Sequence, residues 1–182
     1  MRANALDHRA ALVARKDAAL KRWPDRSGRE FEAEVTAIAH ELDQLARALD
    51  SADSDPIERL RTWRTVGEAY LTLGARYALQ CATQAFRAAE AMTALTQADA
   101  RDLVQLKHNH GVALLKLAED TNAELAAEAA SALSSALALA RKHMPVGVVS
   151  IKYELLRAEH TVATLRGKRD RRAERLNEAE AA

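Results

Sequence analysis

Cysteine occurs once, as Cys81, in a chain of 182 residues. An internal disulfide framework is therefore excluded, and the usage fits a reducing cytosol. Glycine (six residues) and proline (three) are scarce. An all-β chain needs turn residues roughly every 8–12 positions, and these are too few for one. Aromatic residues are limited to two tryptophans, three tyrosines and two phenylalanines, which leaves the core to aliphatic and small side chains. No charge of one sign dominates: 27 Lys and Arg against 26 Asp and Glu give a net charge of +1. Such a chain has no global field to draw it to nucleic acid or an anionic membrane. The longest apolar-looking run, Leu125 to Ala140, is interrupted by Glu128 and three serines and is mostly alanine, so no membrane span is expected. The first 24 residues lack a continuous apolar core and carry Asp7 and Asp17, so no secretory leader is expected.

What is abundant is alanine, at 41 residues. Alanine is the best helix former and lets backbones approach closely, which favours tightly packed helices. The length suits one buried domain or a short helical array. Helix-start signals recur: Ser27-x-x-Glu30, Asp55-Pro56-x-Glu58 and Thr121-x-x-Glu124 each put a capping acceptor three residues before an acid, with Asn4-x-x-Asp7 and Thr96-x-x-Asp99 as weaker versions. Pro56 suits a first helical position, where its missing N–H costs nothing. Breaks at Trp23–Gly28, Asp50–Pro56, Gly74–Arg76, Leu95–Asp99, Glu119–Asn122 and His143–Gly147 predict seven helices, near 4–22, 28–50, 56–73, 77–94, 98–119, 122–142 and 147–178.

The third and fourth predicted helices carry Trp63-x2-Val66-Gly67-x2-Tyr70-x3-Gly74 and then Ala82-x3-Phe86-x2-Ala89. Laid over the fifth and sixth, Gly67 falls on Gly111, Tyr70 on Leu114 and Gly74 on Ala118, while Ala82, Phe86 and Ala89 fall on Ala129, Leu133 and Ala136. Small and large alternate in both copies. The physical reason is that a small residue lets two helix axes approach and a large one fills the space beside it. The pattern resembles the tetratricopeptide repeat, W-x2-L-G-x2-Y…A-x3-F, in two diverged long units over about 57–142, similar to long-helix variants in bacterial regulators. Val66 stands in place of the usual leucine, and Lys107 in place of the tryptophan in the second copy.

The resemblance implies one all-α domain over 1–182, with antiparallel hairpins stacked as a short solenoid. An N-terminal helical hairpin covers 1–50, two TPR-like units 56–142, and a capping helix with a charged tail 147–182. It also implies a concave groove, lined by the first helix of each pair, that receives a partner peptide or helix. Here that face would carry Arg61, Arg64, Glu68, Leu71 and Thr72, and in the second unit Gln105, His108, Asn109, Val112, Leu115 and Lys116. Cations, amides and leucine together suit a peptide with an acidic group and an apolar anchor. Arg64 and Asn109 match in type the family's carboxylate clamp. Glu68 stands where that clamp has asparagine and would repel a terminal carboxylate.

Other features carry less. Phe31, Val35, Ile38, Leu42, Leu45 and Leu49 form a strict seven-residue seam, read as packing against the first helix or first repeat, with a homodimer as the alternative. His108 and His110 are two apart on a helix and diverge by about 200°, too far to share an ion. Cys81 reads as a buried structural thiol, and Ser131, Ser134 and Ser135 as packing or surface residues without a nucleophile elbow. Residues 166–175 hold six cations and two anions, read as a solvated helix end rather than a phosphate contact. The expected function is therefore a non-catalytic, cytoplasmic adaptor or regulatory module that binds another protein and needs no cofactor or metal. The alternatives are an oligomeriser built on helix 28–50 and a small secretion-type chaperone.

Overall fold

The computed structural model describes residues 2–23, 28–52, 54–118 and 121–180, with side chains over 6–171 of those ranges. Among these, seven α-helices follow one another without a strand: α1 (Arg2–Arg22), α2 (Arg29–Ser51), α3 (Pro56–Leu73), α4 (Arg76–Thr93), α5 (Ala100–Ala118), α6 (Ala123–His143) and α7 (Val148–Glu180). A 3-10 turn, Pro145–Gly147, precedes α7. The protein is all-α, and each predicted helix has its counterpart.

Several helix starts differ from the predicted caps. Asp55 caps α3 as expected: its side chain accepts from the Ile57 N–H, and Pro56 opens the helix. The cap of α6 is Asn122, one residue beyond the predicted Thr121; its side-chain oxygen accepts from the N–H groups of Glu124 and Leu125. At α5 the Arg101 N–H donates to Asp99, so the acid rather than Thr96 satisfies the first turn. Gly28 holds the cap position of α2 with no side-chain bond, and Ser27 lies outside the described residues. Asx side chains reach the free N–H groups of a first turn at least as well as threonine, which explains the two shifts toward Asp and Asn. Gly74 closes α3 at φ 70, a left-handed conformation that glycine adopts without a Cβ penalty.

Packing follows sequence order. The most extensive contacts join α5 to α6 and α3 to α4, then α6 to α7, α2 to α3, α4 to α5 and α1 to α2. Odd-numbered helices also meet the next odd one, α1 with α3, α3 with α5 and α5 with α7; among the described residues no such backbone approach joins α2 to α4 or α4 to α6. Arg87 of α4 and Glu128 of α6 meet only through their side chains, at 2.8 Å.

Close helix contacts fall where the alternation of small and large residues puts them. A Cβ built on Gly67 would stand 2.5 Å from the buried ring of Phe86. One built on Gly111 would stand 2.5 Å from Cγ of Leu133 and 3.2 Å from the Ala129 carbonyl oxygen. Both are closer than van der Waals contact allows, so each hairpin needs its glycine to bring the axes together. Three apolar clusters result among the described residues. Phe86, Trp63, Val66 and Tyr70 join α2 residues Ile38 and Leu42 in the first. Leu114, Leu115 and Leu133 join α7 residues Ile151 and Ala158 in the second. Phe31 and Val35 meet Ala19 of α1 in the third.

The α2 seam therefore faces inward. Phe31, Val35, Ile38 and Leu42 are buried, and Leu45 packs against the first cluster, so packing against α1 and α3 accounts for it. Trp63 contributes a polar tie as well: its indole N–H donates to Asp50 at 2.9 Å, and Arg59 donates to the other oxygen of the same carboxylate. Together these bonds fix α3 against the end of α2. The helix α6 is, among the described residues, the one long and apolar enough to cross a membrane; its Ala126, Ala129, Leu133 and Ala136 are buried inside the fold.

Candidate functional site

The face shared by α1, α3 and α5 is built from charges. Arg61 donates to Asp102 at 2.9 Å, and Arg64 pairs with the other oxygen of that carboxylate. Arg64 also approaches Glu68 at 3.4 Å, one helical turn along. Glu68 in turn accepts from the Asn109 amide at 3.2 Å and lies 3.6 Å from Lys16 of α1. Arg9 of α1 completes the row, 3.1 Å from Glu58. With Asp17, four cations (Arg9, Lys16, Arg61, Arg64) face four anions (Asp17, Glu58, Glu68, Asp102), so the lattice is neutral.

Arg61, Arg64, Glu68 and Asn109 are thus brought together as the sequence suggested, but their partners are one another. Burial by itself would raise the Asp102 carboxyl. The Arg61 hydrogen bond and the charges of Arg64 and Arg61 more than offset this and hold it below the ordinary carboxylate range. The Arg61 guanidinium is pushed up, chiefly by its hydrogen bond to Asp102.

Asp102, Arg9 and Lys16 belong to none of the sequence motifs, although the sequence does hold one signal for the acid. Asp102 stands 44 residues after Glu58, the same offset as Gly67 to Gly111. Each of these two acids occupies the first turn of an odd-numbered helix and receives an arginine from the odd helix before it. First-turn acids are easily credited to the helix dipole alone.

The remaining groove residues divide. Gln105 and Lys116 are exposed and Val112 is half-buried, so this strip of α5 is open. Leu115 is a correction: it is only 5% exposed and belongs to the second apolar cluster, because α7 closes over that side of α5. Leu71 is half-buried against the first cluster and does not stand free as an anchor. Thr72 turns its hydroxyl back to the Glu68 carbonyl. His108 is half-buried. Burial lowers its pKa, opposed in part by the charge of Glu154. His110 diverges from it as expected, buried with Nδ1 3.2 Å from Glu90 of α4.

Between α1 and α3 lies a cleft of about 420 Å³. Ala10, Val13 and Ala14 supply apolar lining, and Arg9, Asp17, Arg61, Arg64 and Glu68 the charged walls. Among the described residues no three His, Cys, Asp or Glu side chains come together as metal ligands. Cys81 is half-buried against the first cluster, and Ser131, Ser134 and Ser135 are exposed. Arg166, Lys168, Arg169 and Arg171 are exposed along α7; the rest of the basic segment, 172–175, lies outside the described side chains. Compared with models of known families, with curated proteins and with solved structures, the chain matches none.

Proposed function

We propose that the chain is a non-catalytic, cytoplasmic bacterial adaptor: a short TPR-like array whose odd-numbered helices form an inner wall that receives a partner peptide or helix. The observation that carries this reading is the cleft between α1 and α3, which opens on the row of odd helices. The backbone approaches between successive odd helices, with none of that kind between α2 and α4 or α4 and α6 among the described residues, support a curved array with the odd row on its inner side. Because the lattice is internally neutralised, a partner's acidic group must compete with Asp102 or Glu68 for an arginine. An apolar anchor against Ala10, Val13 and Ala14 then supplies most of the binding, and exposed Lys116 offers a cation outside the lattice.

Crosslinking in the native cells, followed by mass spectrometry, identifies what the cleft holds. Ala10→Glu with Ala14→Glu is the paired control, since both alanines are exposed and the change fills the cleft without touching the core. The reading expects the captured proteins to disappear with the thermal melt unchanged. Identical capture by wild type and double variant would place the binding elsewhere.

A further inference from the structure

The side of α7 turned away from the second apolar cluster exposes large apolar side chains. Among the described residues, the exposed large apolar side chains Leu6, Tyr77 and Leu95 are scattered, but four others fall between 146 and 156. These are Val146 (96% exposed), Val149 (79%), Tyr153 (62%) and Leu156 (55%). Ile151, Leu155 and Ala158 turn inward to the second cluster. At about 100° per residue, Val149, Tyr153, Leu156 and His160 lie on the opposite side of the helix, spaced 4-3-4 like the seam of a coiled coil. Lys152 and Glu159 flank that seam on one edge, Ser150 and Arg157 on the other, and all four are exposed.

We propose that this stripe is a homodimer interface, in which two copies pair α7 antiparallel about a twofold axis between Tyr153 and Leu156. Tyr153 then packs on the partner subunit's Leu156, and Val149 on the partner subunit's His160. The same register sets Lys152 beside the partner subunit's Glu159, twice, because a twofold contact repeats every pair. Arg157 meets only the partner subunit's Ser150. A parallel pairing would instead forgo the Lys152–Glu159 contact and set Lys152 beside the partner subunit's Arg157, whose charge is already met at 2.8 Å by Glu154 of its own helix, so the flanking charges favour the antiparallel arrangement. The second copy is the favoured occupant because one short stretch supplies both the seam and its complementary charges.

Sedimentation equilibrium of the full chain tests it from about 1 to 200 µM, a range suited to an interface at the small end of stable ones. The expected result is twice the 19.9 kDa chain mass at the upper end. Tyr153→Glu should give a monomer throughout with an unchanged helical circular-dichroism signal, since the side chain is exposed in the single chain. Lys152→Glu should weaken the dimer, and Lys152→Glu with Glu159→Lys should restore it. A wild-type monomer at every concentration overturns the proposal. So does a dimer that survives Tyr153→Glu, or a charge swap that fails to restore association.

Discussion

In α3–α4, Gly67 lies under the ring of Phe86; in α5–α6, 44 residues on, Gly111 lies under the branch of Leu133. The two hairpins solve the same steric problem with a glycine and one large residue, aromatic in one and aliphatic in the other. Their outward faces then diverge. On one side of α5, the junction with α3 is a lattice of ion pairs around Asp102. On the other, Leu115 shares an apolar cluster with Ile151 and Ala158 of α7. At the position equivalent to Arg64 stands His108, half-buried and near Glu154. The lesson is that close packing within a hairpin restricts its residues tightly, whereas the contact between neighbouring odd helices accepts either charge or hydrocarbon.

That contrast can be broken from both sides of α5. Leu115→Ala should cost about 2–5 kcal/mol, the range for truncating a buried leucine, and the cost should be indifferent to salt. Asp102→Asn should cost less, about 1–3 kcal/mol, since it weakens charge-assisted bonds to two arginines. Its effect should shrink as salt rises, because Arg61 is partly exposed and screened. Chemical denaturation at low and high salt measures both. Equal salt dependence for the two variants would erase the distinction between the junctions.

A smaller effect concerns pH. The folded-state pKa of His108 is depressed by burial, so the unfolded chain binds its proton first as pH falls. Stability should therefore decline from about pH 6.5 downward and level off once the folded form is also protonated. Asp102 and Glu90 are likewise depressed, against the opposing pull of burial. Each adds a loss at lower pH, as acid passes the ordinary carboxylate range toward its folded value. His108→Gln should remove the first decline and leave the later ones. A stability profile of this variant that still bends near pH 6.5 would assign the effect to another group.

The fold was largely legible in the sequence because its signals are local. Alanine content, Asp55-Pro56 and Gly74 marked helices and their ends, and the small-large alternation picked out the contacts at Gly67 and Gly111. The candidate site was legible only in part. Arg61, Arg64, Glu68 and Asn109 do meet, but which cation finds which anion depends on how α1 and α5 lie against α3, and no single helix encodes that. The burial of Leu115 is not legible locally, because the side of α5 that α7 covers is set by packing between helices distant in sequence. The cap shifts at Asn122 and Asp99 have a simpler origin: several capping residues stand side by side, and the one that reaches the first turn is chosen by geometry.

The most direct measurement is a double-mutant cycle on Gly67 and Phe86. Gly67→Ala forces a methyl into the ring and should destabilise the protein by about 1–3 kcal/mol, despite the better helix propensity of alanine. Phe86→Leu alone leaves a gap above the glycine and should also destabilise. Combined, Gly67→Ala with Phe86→Leu recreates a smaller pairing, so the account predicts a loss clearly below the sum of the two single losses. Strict additivity, or a stabilising Gly67→Ala, would contradict the claim that a glycine under a large side chain holds each hairpin together.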